Sequence, residues 1–248
     1  DDMVHVLAEA EPAWEIGTRS GYHAITYGWL VGEVIRRVTG LTVNEAVHRE
    51  IVEPLGLDGM FVGTPTAERT RIADLLVDPK SSARLLTLLR NLARFDRYVP
   101  LYEALVVDDF LDVATTPHIH DAELPAANGV FTARSLARMY AGLATPDAFD
   151  GPPLLSPATL AEATRIQTTC GRDGDGRSCE RVGRDTAVLL DMRWRLGYHM
   201  AATSKGVLPH GFGHFGFGGS GAWGDPDSGL AVAMVLNQVA GTPFGDTR

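Results

Sequence analysis

Gly17-Thr-Arg-Ser-Gly-Tyr-His-Ala-Ile-Thr-Tyr-Gly-Trp-Leu-Val-Gly32 is a glycine-bounded turn that carries Tyr22 and runs straight into a helical pattern. From Tyr27 onward apolar side chains fall at Tyr27, Leu30, Val31, Val34, Ile35 and Val38, the spacing of one buried stripe on an amphipathic helix. Gly40 predicts its C-terminal stop. Tyr22 lies outside that stripe, so packing alone does not require it. Two readings of a phenol at a helix entrance stay open: a hydroxyl that caps the turn, or a proton carrier.

Outward from this segment, residues 1–166 read as helix and loop. Thr42-Val-Asn-Glu45 is a capping box that opens a helix running to about Ile51, and Pro54-Leu-Gly-Leu57 ends it in a turn. A further helix follows Pro79-Lys-Ser-Ser, with Leu85, Leu86, Leu88, Leu89 and Leu92 on a wide apolar face. Thr132 caps the next, whose stripe is Leu136, Met139, Tyr140 and Leu143, and Ser156-Pro157 starts another with proline at its first position. Residues 167–248 have a different character. Segments 194–200, 211–217 and 230–236 read as strands between glycine, proline and aspartate turns, and Gly224-Asp-Pro-Asp-Ser-Gly229 signals a hairpin. The continuous apolar run 230–236 suits a strand covered on both faces. The expected organisation is a helical domain, 1–166, followed by the strands of a second domain, 167–248.

A second unusual stretch lies among those strands: Gly211-Phe-Gly-His-Phe-Gly-Phe-Gly-Gly-Ser-Gly-Ala-Trp223. Several glycines in one strand suggest that another backbone or a ligand approaches closely. An edge stripped of side chains also exposes backbone N–H groups, which can stabilise a developing oxyanion. The plainer alternative is a glycine-rich bend around a satisfied His214. Phe212, Phe215, Phe217 and Trp223 read either as walls of an acyl pocket or as core.

The formal net charge of −9 and the lack of any Lys/Arg cluster argue against the basic surface that nucleic-acid binding needs, and the basic residues are almost all arginine, Lys80 and Lys205 being the only lysines. No run of apolar residues is long enough to span a bilayer. Cys170 and Cys179 bracket a polar loop and read equally as a small disulfide loop or as free thiols, which leaves the compartment open. Asp173 and Asp175 lack the later ligands of a calcium loop. His118 with His120, and His210 with His214, lack a companion carboxylate or cysteine set. No metal or cofactor is expected.

Taken together and in order, the Tyr22 segment, Glu53-Pro-Leu-Gly-Leu57, Pro125-Ala-Ala-Asn-Gly129 with Ala133-Arg134, Gly213-His-Phe-Gly-Phe-Gly-Gly-Ser220 and Asp225-Pro226 resemble the serine β-lactamase-related family. The likeness leans to the class C type and its family VIII esterase relatives, and covers nearly the whole chain. It implies an α/β architecture of the α+β type, like that of β-lactamases and penicillin-binding proteins: a helical domain plus an antiparallel sheet flanked by helices.

In that family a Ser-x-x-Lys serine attacks an acyl carbonyl, and the tyrosine of a Tyr-x-Asn element works beside the lysine as general base. The resemblance assigns that tyrosine to Tyr22. It matches the family's Lys-Thr-Gly to His214-Phe215-Gly216, a substitution of the kind seen in the esterase branch, with the N–H of Phe217 as half of an oxyanion hole. Gly216, Phe215 and Asn128 are then substrate-binding candidates, although Asn128 beside Gly129 reads equally as a turn residue. The substrate implied is a small ester or amide, and the activity first a carboxylesterase, then a β-lactamase, D-amino-acid peptidase or transacylase. A non-catalytic binding or structural protein on the same fold is the reading of another class.

Two departures qualify the likeness. Ala24 stands where the family has the asparagine of Tyr-x-Asn, and no Ser-x-x-Lys occurs in the 248 residues. Ser81 and Ser178 are followed at that spacing by Arg84 and Arg181, and arginine stays protonated, so it cannot serve as the base. The resemblance leads to the expectation of a chain truncated at both ends, its nucleophile in a missing N-terminal part of the same protein. Gly218-Gly-Ser220-Gly-Ala222 comes close to a nucleophile elbow, but Ser220 lies between strands rather than at a strand-to-helix turn.

Overall fold

Thr132 caps its helix as its position predicts, its hydroxyl accepting the Ser135 N–H at 3.2 Å, and from this helix the core is built. The structure, a computed structural model, describes residues 2–107, 110–167, 184–216 and 218–239. Phe217, Ser178, the two cysteines and the Asp173–Asp175 loop therefore lie outside the described residues.

The helices are α1 (Asp2–Glu9), α2 (Thr26–Thr39), α3 (Val43–Val47), α4 (Glu53–Leu55), α5 (Pro79–Leu92), α6 (Val99–Leu105), α7 (Phe110–Ala114), α8 (Ala133–Ala144) and α9 (Pro157–Thr164). The strands are β1 (Met60–Val62), β2 (Leu76–Val77), β3 (Gly129–Phe131), β4 (His199–Thr203), β5 (Gly206–Phe215), β6 (Gly221–Asp225), β7 (Leu230–Met234) and β8 (Gln238–Val239). Strands β4-β5-β6-β7 form one antiparallel sheet in that order. The stripe read from α8 packs onto it: Tyr140 and Leu143 meet Phe212 and Ala222, with Leu136, Met139, Ala231 and Ala233 around them. The close approach of α8 needs Gly224, where a Cβ would come within 2.9 Å of the Ala144 methyl and 3.2 Å of the Tyr140 carbonyl oxygen.

The first part of the chain also carries strands, in two further two-stranded sheets. β1 pairs antiparallel with β3, and β2 pairs parallel with β8, so short strands sit where the sequence read only helix and loop. The pairing of β2 with β8 and the packing of α8 on β6 and β7 join residues 1–166 to residues 167–239.

The Thr42 to Glu45 capping box forms with both of its bonds, but the helix it opens passes through a π-helical turn at His48–Val52 before Gly56 ends it. Helix α2 forms where expected, yet its apolar stripe is not buried: Val34 is 59% exposed and Val38 78%. The helix instead seats its glycine face on the Pro125–Ala126 loop, since a Cβ at Gly28 would lie 2.6 Å from the Ala126 nitrogen. Periodicity reports which face of a helix is apolar, not what covers it. The same holds for β7, where Ala231 and Ala233 face the α8 core while Leu230, Val232 and Met234 are exposed among the described residues.

Expected strand 194–200 is a strand only from His199. Before it the chain makes a tight turn, with Arg195 N–H on the Tyr198 carbonyl at 2.8 Å and Gly197 at φ 82°. Arg195 is buried in that turn, its guanidinium donating to the carbonyls of Thr164, Arg193 and Pro209. The hairpin at Gly224-Asp-Pro-Asp-Ser-Gly229 is present, and Asp225 accepts both the N–H and the hydroxyl of Ser228. Among the described residues no helix is long and apolar enough to cross a membrane.

Candidate active site

The loop that carries Tyr22 is fixed from two sides. Gly21 rests against the Trp14 indole, where any Cβ would collide with the ring, and the Ser20 carbonyl accepts the Thr186 N–H at 2.8 Å. That second bond ties the loop to residues 184–195, which present Trp194. The Trp194 ring lies parallel to Tyr22, 5.5 Å between centroids and 8° between planes. His214, near the end of β5, completes a cluster: its ring is 5.9 Å from Tyr22 and 6.5 Å from Trp194. Tyr22 and His214 are about 190 residues apart in sequence, and the fold brings them face to face.

Trp194 is held by Asp185, which is fully buried. One Asp185 oxygen accepts the N–H groups of Ala187 and Val188 at 2.8 and 2.9 Å, and the other accepts the Trp194 indole N–H at 2.8 Å. The loop between them stores strain, with Leu189 at φ 61° and Arg193 at φ 48°, the left-handed region that side chains disfavour. Neither Asp185 nor Trp194 was a sequence candidate. A single aspartate in an irregular loop has no periodic signal, and Trp194 read as the start of a strand.

The electrostatics follow from burial. Tyr22 is held above the usual phenol range, first by burial and then by the negative charge of Asp185. His214 is pushed down from 6.5 to about 4, chiefly by burial with His199 adding to it, so its imidazole is neutral near neutrality. A neutral imidazole can give or accept a hydrogen bond to a substrate oxygen but brings no charge.

The remaining candidates divide. Phe215 and Gly216 follow His214 directly, and the Gly216 N–H is already engaged on the Ser220 carbonyl at 2.8 Å. Phe217 lies outside the described residues. Asn128 is committed to its own loop: its amide donates to the carbonyls of Ile119 and Ala122, and its oxygen accepts the Leu124 N–H. Of its two readings, the turn role is the one these bonds fill. Phe212 is core, fully buried. The Ser220 hydroxyl is exchanged with the backbone of Leu236, donating to its carbonyl and accepting its N–H, which ties the β5–β6 turn to the end of β7. His210 pairs with Asp227 at an exposed site. Among the described residues no group of three or more His, Cys, Asp or Glu side chains is gathered as a metal site would require.

The shifted imidazole makes a prediction about stability. The unfolded chain takes up a proton on His214 near pH 6.5, whereas the folded chain resists until about pH 4. Stability is therefore complete above 6.5, falls as pH drops through that window, and levels off below it; His199, also held low by burial, acts in the same sense. The expected loss approaches about 3 kcal/mol. Urea unfolding across this range would read it, and in a His214→Asn variant the loss should shrink.

The chain matches the family described as Beta-lactamase over residues 1–248. The "Esterase/beta-lactamase LipL" of Mycobacterium tuberculosis (strain ATCC 25618 / H37Rv) is 36% identical over 241 residues, covering 96% of this chain and 52% of that protein. The chain thus spans about half the length of the curated relative it matches. Among solved structures, a penicillin-binding protein homolog from Caulobacter crescentus superposes with a TM-score of 0.70 at 31% identity, covering 97% of this chain and 59% of that one. A family VIII carboxylesterase gives a TM-score of 0.76 at 28% identity, covering 100% of this chain and 60% of that one.

Proposed function

The chain belongs to the beta-lactamase family, and from that premise we propose that its site serves acyl transfer to water through a covalent acyl-enzyme, with carboxylic esters as the first substrate class. The observation that carries this reading is the convergence of Tyr22 and a neutral His214 on one face, with Trp194 clamped between them and a buried carboxylate. The resemblance to esterases supports the choice of esters. Ala24, in place of an amide, argues against β-lactams as the preferred substrate, and D-amino-acid peptides and transacylation to another alcohol rank after them.

The chemistry runs in two halves. A serine hydroxyl attacks the ester carbonyl, its proton passes by way of Tyr22 to the departing alkoxide, and the acyl group stays on the serine. Water then attacks the acyl-enzyme, giving its proton back along the same route and releasing the acid. Tyr22 suits the donating step as it stands, because burial and Asp185 favour its protonated form. To accept a proton it needs a positive charge beside it. Its described neighbours Trp194, neutral His214 and Asp185 supply none. We assign that charge, together with the nucleophile, to a Ser-x-x-Lys outside these 248 residues. His214 would orient the substrate by hydrogen bonding, and the N–H of Phe217 would hold the oxyanion.

The reading of another class is a binding protein that keeps the fold without turnover. Incubating the natural gene product with a short-chain p-nitrophenyl ester and with a fluorophosphonate separates the two. Turnover with labelling is expected; the lack of both would overturn the hydrolase reading.

A further inference from the structure

β4 begins at His199, which pairs with Gly213, so β5 runs on past the end of its neighbour. The next donor on that edge, the Phe215 N–H, has no β4 backbone to meet. The side chain of His199 takes it instead: Nε2 accepts the Phe215 N–H at 3.0 Å. Nδ1 lies 2.7 Å from the Met200 carbonyl oxygen, which can only accept. The two partners together fix one tautomer, with the proton on Nδ1 and Nε2 bare. The ring sits 4.9 Å from His214 and edge-on to Trp194 at 6.0 Å.

We propose that His199 is a positioning residue, a neutral imidazole that extends the β4–β5 ladder by one step and thereby sets the end of β5 and His214 against Tyr22. The proposal rests on the acyl-transfer reading for its effect on rate, but not for its geometry. Phe215 directly follows His214, so the bond that holds Phe215 also sets the backbone from which His214 projects. A proton added to Nε2 removes the acceptor and breaks this bond. It also places a charge facing His214 on β5 and close to the Arg195 guanidinium, with Tyr22 beyond His214 and Asp185 beyond Trp194. Burial and Arg195 both resist that charge and hold His199 below the ordinary imidazole range. The two neighbouring imidazoles therefore titrate as a pair, the first proton opposing the second. Activity should be full where both are neutral, stay full at the ordinary imidazole value, and fall only at lower pH, where the folded protein begins to take up these protons.

The test uses the natural gene product with His199→Leu and His199→Gln, assayed on a p-nitrophenyl ester. Leucine offers no acceptor, and a displaced site of this kind costs roughly 10- to 100-fold in kcat, with KM little changed. Glutamine can accept the Phe215 N–H through its oxygen and donate to Met200 through its amide, yet cannot be protonated. It should recover most of kcat and keep a larger fraction of its neutral-pH rate in acid than the wild type does. Equal rates in all three proteins, or glutamine no better than leucine, would overturn the proposal. If the wild type turns over no ester, the hydrolase reading fails by itself. The imidazole 15N shifts of the wild type then still decide the geometry: a bare Nε2 supports it and a protonated Nε2 contradicts it.

Discussion

Tyr22→Phe is expected to lower kcat for ester hydrolysis by about 100- to 10,000-fold, the range for losing a positioned proton carrier. The ring remains, so the parallel stack on Trp194 and the contact with His214 survive, and the melting temperature should stay close to that of the wild type. KM should change little, because a hydroxyl that only moves a proton adds little to ground-state binding. A rate within a few-fold of wild type would leave Tyr22 as the turn cap that the sequence alone allowed. A loss of rate matched by a loss of folding would also remove it from the chemistry.

Asp185→Asn is expected to have the largest effect on stability, a loss of about 2 to 4 kcal/mol. The carboxylate accepts on both oxygens: two backbone N–H groups on one, the Trp194 indole N–H on the other. An amide keeps one oxygen and turns an NH₂ toward a donor on the other side, so one set of bonds is lost whichever way it flips. The same substitution removes the negative charge that raises Tyr22, and the Tyr22 phenol should become more acidic even as the protein becomes less stable. Denaturant unfolding and the 13C shift of Tyr22 Cζ against pH read the two effects separately. Unchanged stability would mean that the Trp194 clamp contributes little.

The contrast between these two residues shows what was legible in the sequence. Tyr22 stood out because a glycine-bounded turn led into a regular helix, and His214 because glycines surrounded it where a strand should carry side chains. α8 and its core were legible for the same reason: a cap, a stripe and a partner strand all agree. Asp185, Trp194 and His199 act through particular side-chain hydrogen bonds, which leave no periodic trace in the sequence. His199 offered one faint signal, an imidazole inside an otherwise apolar run, but its meaning depends on β4 beginning two residues too late to meet Phe215. The exposed stripe of α2 shows the opposite limit, since a correct period placed the helix and gave the wrong surroundings. Asn128 was ambiguous on the page of letters, and three hydrogen bonds within its own loop account for its amide.

In the proposed reaction a serine in a Ser-x-x-Lys segment attacks the ester while Tyr22 and His214 serve it. Rapid quenching of the natural gene product with a p-nitrophenyl ester, followed by peptide mapping by mass spectrometry, tests this most directly. One acyl group is expected on the serine of a Ser-x-x-Lys segment, accumulating during turnover. An acyl group on Ser220, or hydrolysis with no covalent adduct at any time, would contradict it.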